Sequence, residues 1–285
     1  MKLSPASPVF FTRLAMKRSP ASAVFFTLLG NKLSPASAVF FTFLGIGLTG
    51  AACTDVSGSS TSVLSIVFDS LSAPSVVVGD TLRDTTGAVV RPVVHAFNFQ
   101  GGEIIPAPVF FLSPDSGVTV DSATGIVVGD SLRSTPARIV ASVGTLQAVQ
   151  TVDVTLRPDL VQAVNSLDSL QYSPTDSTLN VSRQLQVKLT HGVAPNDSVV
   201  KSYIVSFTIA AQSNPQLGVL VNDAGKASVV DTTDASGIAG RMIRVHPLLL
   251  TSAVDSIVVN ATAKYRGVQV NGSPVRLVLL LKPPG

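Results

Sequence analysis

The sequence is poor in the residues that carry most catalytic chemistry and most stacking contacts. Its 285 residues include no tryptophan, three tyrosines, three histidines, one cysteine and one glutamate. The single cysteine, Cys53, excludes an internal disulfide framework, so the fold must depend on burial of a hydrophobic core. The scarcity of large rings leaves few side chains for stacking on sugars or bases.

Acidic residues are missing from one part of the chain. All 17 aspartate and glutamate residues follow Cys53, whereas five of the 20 lysines and arginines precede it. From Cys53 onward, 15 basic residues therefore accompany 17 acidic ones, so the chain is positive overall only because the N-terminal segment contributes five basic residues and no acidic one. No basic stripe remains that could neutralise phosphates, so we expect no nucleic-acid partner.

The N-terminal segment repeats a unit of fifteen residues three times. The copies span Met1–Ala15, Met16–Gly30 and Asn31–Gly45, and the last of them reads NKLSPASAVFFTFLG. No further copies follow, which excludes a solenoid. We interpret the copies as a tandem duplication of coding DNA, which leaves Met1 and Met16 both open as the true start.

The last copy contributes the parts of a secretory signal peptide: a basic residue, an apolar core and small residues before the cut. Lys32 supplies the charge, Ala36–Leu48 the core and Gly50–Ala52 the small residues, and Cys53 follows directly. This arrangement resembles a bacterial lipoprotein signal. The resemblance implies that the Cys53 thiol is acylated, that Cys53 becomes the mature N-terminus, and that the lipid holds the protein at a membrane.

Two alternatives to lipidation stay open. Gly50 stands where the lipoprotein pattern has leucine, so an ordinary signal peptidase cut nearby would leave a soluble protein with a free thiol. An uncleaved anchor is the other, although the apolar runs of the second and third copies are each shorter than the roughly 20 residues of a membrane span. We expect residues 1–52 to be the leader, residues 53–61 a polar tether, and the protein to be exported to the cell envelope, at the outer membrane or cell surface.

Beyond the tether, the composition predicts an all-β fold. Short runs of Val, Ile, Thr, Phe and Leu are separated by Gly, Pro, Asp, Asn and Ser. Alternation with a period of two, typical of strands with one buried face, recurs in Val63–Phe68, Gln147–Leu156, Leu185–Leu189 and Ser256–Ala263. The best helix candidate, Leu160–Leu170, lies between two prolines and is interpreted as linker plus strand.

A domain boundary is predicted at a proline near the middle of the mature chain. A long strand pattern, Leu146–Leu156, ends at the segment Arg157–Asp159, which contains Pro158, and new strand patterns begin after it. Each half then has a length that suits one immunoglobulin-like sandwich. We therefore predict two tandem immunoglobulin-like β-sandwiches, at residues 62–157 and 158–285.

The first half resembles the bacterial immunoglobulin-like group 2 module. The matching residues are a first turn at Gly79–Thr81, a middle strand with Ser113, Asp115, Val118, Val120 and Asp121, and a second turn at Thr124–Gly125. The family's tryptophan before the middle strand is absent, and Phe110 or Phe111 is expected in its place. The resemblance implies a sandwich fold and no active site, because the matching residues are turn and core positions.

The second half resembles the group 1 module of invasin- and intimin-like surface proteins. The matching segments are SYIVSFTIA, for the central strand, DTTDASGIAGRMIRV, for a turn and the strand after it, and DSIVVNATAKYRG, for the final pair of strands. This resemblance also implies a sandwich fold, and for the whole protein it implies a role in surface adhesion, binding or spacing.

One motif resembles the nucleophile block of an esterase family. Gly129–Leu132 spells GDSL, but the Asp-x-x-His that supplies the base in those enzymes is missing, because Lys188 and Ile243 precede the two later histidines by three residues. A near copy, GDTL, occurs at Gly79–Leu82, as expected of a recurring β-turn in which Asp bonds to its own backbone. We therefore predict a turn and no catalytic residue.

Metal sites are not expected either. His95, His191 and His246 lie far apart and lack the paired spacing of zinc ligands. The local group of Asp231, Asp234 and Gly237 lacks the pattern of a calcium loop and is interpreted as a turn.

The combined expectation is a non-catalytic cell-envelope lipoprotein without a cofactor. Its partners would be the membrane, through the lipid on Cys53, and an unidentified envelope protein or glycan. Two alternatives stay open: a passive stalk in a larger envelope complex, and a secreted serine esterase that uses the GDSL stretch.

Overall fold

The computed structural model describes residues 61–250, 252 and 254–283. The predicted leader, Cys53 and nearly all of the tether lie outside these residues. Within them the chain forms twenty β-strands, two short 3-10 helices and no α-helix. None of the described helices is long and apolar enough to cross a membrane.

The strands are β1 (Ser65–Phe68), β2 (Ser75–Val77), β3 (Val94–Phe97), β4 (Phe110–Leu112), β5 (Val118–Val120), β6 (Val127–Gly129), β7 (Ala137–Val143), β8 (Leu146–Thr155), β9 (Leu160–Ala163), β10 (Leu167–Gln171), β11 (Leu185–His191), β12 (Ser198–Val199), β13 (Ile204–Ala211), β14 (Gly218–Val221), β15 (Val230–Thr232), β16 (Ile238–Val245), β17 (Asp255–Thr262), β18 (Lys264–Tyr265), β19 (Val268–Gln269) and β20 (Val275–Lys282). The 3-10 helices span Ser177–Leu179 and Pro247–Leu249.

The first sandwich is built around a four-stranded sheet of order β2-β8-β7-β4, in which β2 runs parallel to β8. Two strand pairs, β1-β3 and β5-β6, complete it. Their apolar side chains join those of the sheet in one buried cluster that includes Phe68, Phe111, Val127, Ile139 and Val152. Successive side chains of a strand point to opposite faces of the sheet. A sequence in which apolar residues alternate therefore places them all on the face that packs into this cluster, away from water.

The second sandwich consists of two five-stranded sheets. One has the order β10-β20-β17-β13-β15, and the other has the order β12-β11-β16-β14 with β9 also paired to β11. In β20, Val275, Leu277, Leu279 and Leu281 are buried and their neighbours are more exposed. Each such burial contributes about 1.5–3 kcal/mol. The two sheets share one core, to which Phe207 contributes the largest fully buried side chain.

The prediction of an all-β protein with two sandwiches is confirmed. All four segments with a period of two form strands, as β1, β8, β11 and β17, and Leu160–Leu170 contains β9 and the start of β10. Of the two phenylalanines, Phe111 lies in the core at 8% exposure, whereas Phe110 is 60% exposed. The boundary at 157/158 stays a prediction. The two clusters draw their buried residues from opposite sides of it, yet the described residues form one compact unit.

Candidate functional site

The first sandwich contains two Gly-Asp turns, at Gly79-Asp80 and Gly129-Asp130 (the GD turns), which pack against each other. Gly79 donates its amide to the Gly129 carbonyl at 2.7 Å, and Gly129 donates in return to the Asp80 carbonyl at 3.0 Å. A Cβ on Gly129 would lie 2.8 Å from the Val77 carbonyl oxygen, so only glycine allows this approach. The near repeat in the sequence is therefore a pair of mutually bonded turns.

Asp80 lies at the junction of the two sandwiches, with its side chain only 3% exposed. Its Oδ1 accepts from the Thr81 amide at 2.8 Å, and its Oδ2 accepts from Nε of Arg83 at 3.1 Å. Nε of Arg266, in the second sandwich, donates to the same Oδ2 at 2.8 Å. Burial alone raises the pKa of Asp80, but the bonds from Arg266, Arg83 and the Thr81 amide outweigh it and hold the pKa well below its usual range.

The described residues contain two non-glycine positions with positive φ, and both lie at this junction. Arg266 (φ 51°) occupies, with Gly267, the two-residue turn between β18 and β19, where Asn, Asp or Gly is usual. Ser202 (φ 56°) precedes β13. This conformation costs about 1–2 kcal/mol for a residue with a side chain, so the contacts at the junction must hold both residues in place.

Ser202 bonds to the first sandwich through two groups. Its hydroxyl donates to Oδ2 of Asp153 at 2.6 Å, and its carbonyl accepts from the Ser75 hydroxyl at 2.5 Å. Its neighbour Lys201 accepts a bond from Thr155 at 2.6 Å. The acceptor and donors on the first sandwich all lie on β2 and β8, so this strand pair is hydrogen-bonded directly to the segment before β13.

A close backbone approach completes the junction. Gly87 (φ 91°) lies against Gly267, and a Cβ on Gly87 would overlap the Gly267 nitrogen and lie 2.6 Å from the Arg266 carbonyl carbon. A Cβ on Gly267 would lie 3.2 Å from the Thr86 carbonyl oxygen. Two glycines on opposite sandwiches thus allow the turns to touch.

A cavity of about 340 Å³ opens between these contacts. The first sandwich lines it with β2 and the segment from Asp80 to Gly87, and the second with alternate residues of β13 and with Thr262 and Lys264–Arg266. Tyr203 forms part of the wall and donates its hydroxyl to the Lys264 carbonyl at 2.6 Å. Burial raises the pKa of Tyr203 above its ordinary value, so its hydroxyl stays protonated.

The residues of the esterase-like motif are not brought together with a base. Ser131 is exposed in the loop after β6, and its amide donates to the Gly117 carbonyl at 3.3 Å. Asp130 accepts a bond from the Thr119 hydroxyl at 2.6 Å. In the described part of the chain, no histidine is hydrogen-bonded to Ser131.

The three histidines occupy separate places. His95 lies between two carboxylates, 2.6 Å from Oε1 of Glu103 and 3.2 Å from Oδ2 of Asp69. His191 lies 2.7 Å from Oδ2 of Asp159. His246 is exposed before the second 3-10 helix. Over residues 61–250 and 254–283, no three His, Cys, Asp or Glu side chains form a group that could hold a metal ion.

The acidic group at Asp231 and Asp234 is part of the backbone framework. Asp231 accepts from the Gly240 amide at 2.7 Å and pairs with Arg241 at 2.8 Å. Asp234 accepts from the Ser236 and Ile238 amides at 2.8 and 3.0 Å, as an Asx turn does. Their oxygens therefore stabilise the entry into β16.

Sequence reasoning missed the site at the junction. It identified Gly79–Thr81 as a turn but assigned no partner to Asp80, and it did not single out Arg266. A local signal existed, because Arg266-Gly267 stands in a hairpin position that usually takes Asn-Gly. Cys53, the one site residue predicted from the sequence, lies outside the described residues, and its lipidation stays a prediction.

No protein-family model and no curated protein matches this sequence. Among solved structures, domains 1–6 of the surface-layer protein SbsC are similar over 80% of this chain, at 9% identity and a TM-score of 0.29, and this chain spans 29% of theirs. SbsC domains 5–6 match over 79% of this chain and 99% of theirs (16% identity, TM-score 0.27). Human protocadherin-24 EC1-2 matches over 78% and 99% (13% identity, TM-score 0.26). Such low TM-scores carry no argument about function, and the fold rests on the strand pairings and cores described above.

Proposed function

We propose that this protein is a non-catalytic cell-envelope lipoprotein whose two immunoglobulin-like sandwiches act as one rigid surface module for binding or adhesion. The observation that carries the proposal is the junction between the sandwiches. An ion pair between the buried Asp80 and the half-exposed Arg266, three side-chain bonds at Lys201 and Ser202, and a glycine contact join them. Tandem domains usually move relative to each other unless their interface is strong.

The junction favours a binding role over a passive stalk. A spacer needs only length, whereas this junction keeps two non-glycine residues at positive φ and encloses a cavity. A strained backbone conformation persists only where the surrounding structure holds it, and such residues cluster at active sites and ligand-binding sites. The likeness of the halves to group 2 and group 1 bacterial immunoglobulin-like modules agrees with a role at the cell surface.

Anchoring rests on the leader and Cys53. A single acyl chain binds a membrane only marginally, so stable anchoring requires the several chains that bacterial lipoproteins carry. The short polar segment after Cys53 would then separate the sandwiches from the lipid surface.

The absence of catalysis is supported by the surroundings of Ser131. A serine hydroxyl is a weak nucleophile unless a neighbouring base takes its proton, and the described residues provide no such base at Ser131. The GDSL stretch instead bonds to the other GD turn through Gly129.

The test of anchoring is the intact mass and membrane partitioning of the protein expressed in a diderm bacterium. The wild type should carry the mass of a lipidated chain that starts at Cys53 and should sediment with membranes. Cys53→Ala should be unlipidated, whereas Thr54→Ala, one residue further on, should keep the lipid. An unmodified wild type in the soluble fraction would overturn the anchored form of the proposal.

A further inference from the structure

We infer that the cavity at the junction binds a saccharide that carries an anionic group. The inference deepens the proposed binding role and rests on it. The volume, about 340 Å³, lies at the lower end of the roughly 300–1,000 Å³ typical of small-ligand sites, which favours a mono- or disaccharide.

Free hydroxyl groups on one wall point to a sugar. Ser206 and Thr208 lie on β13, and Thr262, the register partner of Ser206, lies on β17. All three line the cavity, and within the described residues their hydroxyls have no hydrogen-bond partner. A hydroxyl can both donate and accept, as each sugar hydroxyl does, so a row of them matches a saccharide better than it matches an apolar ligand.

The charges around the cavity favour an anion. Its lining includes Arg83, Lys264 and Arg266 against Asp80 and Asp84. The carboxylate of Asp80 is paired with the two arginines. Oδ1 of Asp84 accepts three bonds within its own turn, from the Thr86 amide and hydroxyl and the Ala88 amide. With three cationic and two anionic side chains the lining carries a net charge of +1. Lys264 is exposed and forms no ion pair within the described residues.

Arg266 is the second cationic group available to a ligand. Its Nε is bound to Asp80, which fixes the orientation of the guanidinium, while 52% of the side chain is exposed. The guanidinium also lies over the Tyr265 ring, 5.4 Å from its centroid. A guanidinium held in this way needs little further ordering to donate to a carboxylate or phosphate.

The experiment measures binding by calorimetry with the full chain purified in detergent, whether or not it is lipidated. The probes are glucuronic acid, glucose and inorganic phosphate, each titrated separately. We expect glucuronic acid to bind at least about fivefold more tightly than glucose, because charge-assisted bonds are stronger than neutral ones. Glucuronic acid should also bind more tightly than phosphate, which cannot use the full row of hydroxyls.

Two variants remove ligand contacts without touching the Asp80–Arg266 pair. Lys264→Gln should weaken glucuronic acid binding at least about threefold and leave glucose binding unchanged, and Thr208→Val should weaken both. Lys188, on β11 and outside the cavity, is also an exposed lysine, so Lys188→Gln is the matched control and should bind as the wild type does. Thermal unfolding checks that each variant is folded.

Three outcomes would overturn the inference. Equal affinity for glucose and glucuronic acid would show that the site does not recognise an anionic group. Equal affinity for phosphate and glucuronic acid would show that it does not recognise a saccharide. If the folded wild type binds none of the three probes, the cavity is not a site for an anionic saccharide. Each of these is independent of the mass and partitioning of the protein, which decide the anchoring.

Discussion

Asp80 and Arg266 are 186 residues apart in sequence, yet Nε of Arg266 lies 2.8 Å from Oδ2 of Asp80 and joins the two sandwiches. The carboxylate is buried, and Arg83 from its own turn approaches it from a second direction. A buried charge is tolerated only when it is paired and hydrogen-bonded. The two sandwiches are thus coupled through one buried carboxylate that accepts hydrogen bonds from a guanidinium of each.

Asp80→Asn should destabilise the protein strongly. The substitution leaves Arg83 and Arg266 without a carboxylate, and we expect the free energy of unfolding to fall by about 2–3 kcal/mol, below the cost of a fully buried pair because Arg266 is half exposed. Asp130→Asn, at the matching position of the other Gly-Asp turn, removes the charge from one exposed hydrogen bond and should cost less than about 1 kcal/mol. Denaturant unfolding of both variants measures the difference, and equal losses would contradict a special role for Asp80.

The same carboxylate predicts an acid dependence. Because the folded pKa of Asp80 is lowered, its contribution to stability is complete above about pH 4, near the unfolded pKa, and is lost as the pH falls toward the folded pKa. The wild type should therefore lose stability between about pH 4 and pH 2, and Asp80→Asn should lose less over that interval. Melting temperatures across this range test it; parallel curves for the two proteins would count against it.

Gly87→Ala should separate the touching turns. The methyl group would overlap the Gly267 backbone in addition to the strain of a positive φ. Gly101→Ala is the matched control, because Gly101 also has a positive φ (78°) but a Cβ there meets nothing within 4 Å. We expect about 1–2 kcal/mol for Gly101→Ala, from the backbone alone, and a clearly larger loss for Gly87→Ala in denaturant unfolding.

His95 predicts a dependence on pH near neutrality. Its hydrogen bonds to Glu103 and Asp69 raise the pKa of its ring, so its contribution is complete below about pH 6.5 and is lost as the pH rises through the folded pKa. The melting temperature should therefore fall between pH 5.5 and pH 8.5 by more in the wild type than in His95→Gln. His246→Gln, at an exposed site, should keep the wild-type dependence, and identical slopes for His95→Gln and the wild type would refute the prediction.

Ser131→Ala should change no activity. The hydroxyl is exposed and has no base beside it, so it cannot be activated as a nucleophile. A panel of ester substrates should give the same rates for the variant, the wild type and a sample without protein. A hydrolysis that disappears with Ser131→Ala would restore the esterase alternative.

The sequence alone determined the class of fold. Alternation with a period of two depends on neighbouring residues, so β8, β11 and β17 could be located from it. The Gly-Asp turns were recognisable because glycine and aspartate are typical turn residues. The expected bond from the aspartate to a neighbouring amide forms only at Asp80, which accepts from Thr81, whereas Asp130 accepts from the Thr119 hydroxyl instead. The helix interpretation of Leu160–Leu170 was correctly set aside because prolines bracket that segment.

Tertiary structure decided what the turns do. Leu82 and Leu132 follow the same Gly-Asp pattern, yet Leu82 is 1% exposed and Leu132 is 52% exposed. The short sequences GDTL and GDSL do not predict which leucine is buried. The difference in exposure arises from the parts of the chain that pack against each turn. The pairing of Asp80 with Arg266 and the cavity beside it likewise depend on contacts between distant parts of the chain, which local patterns of residues do not encode.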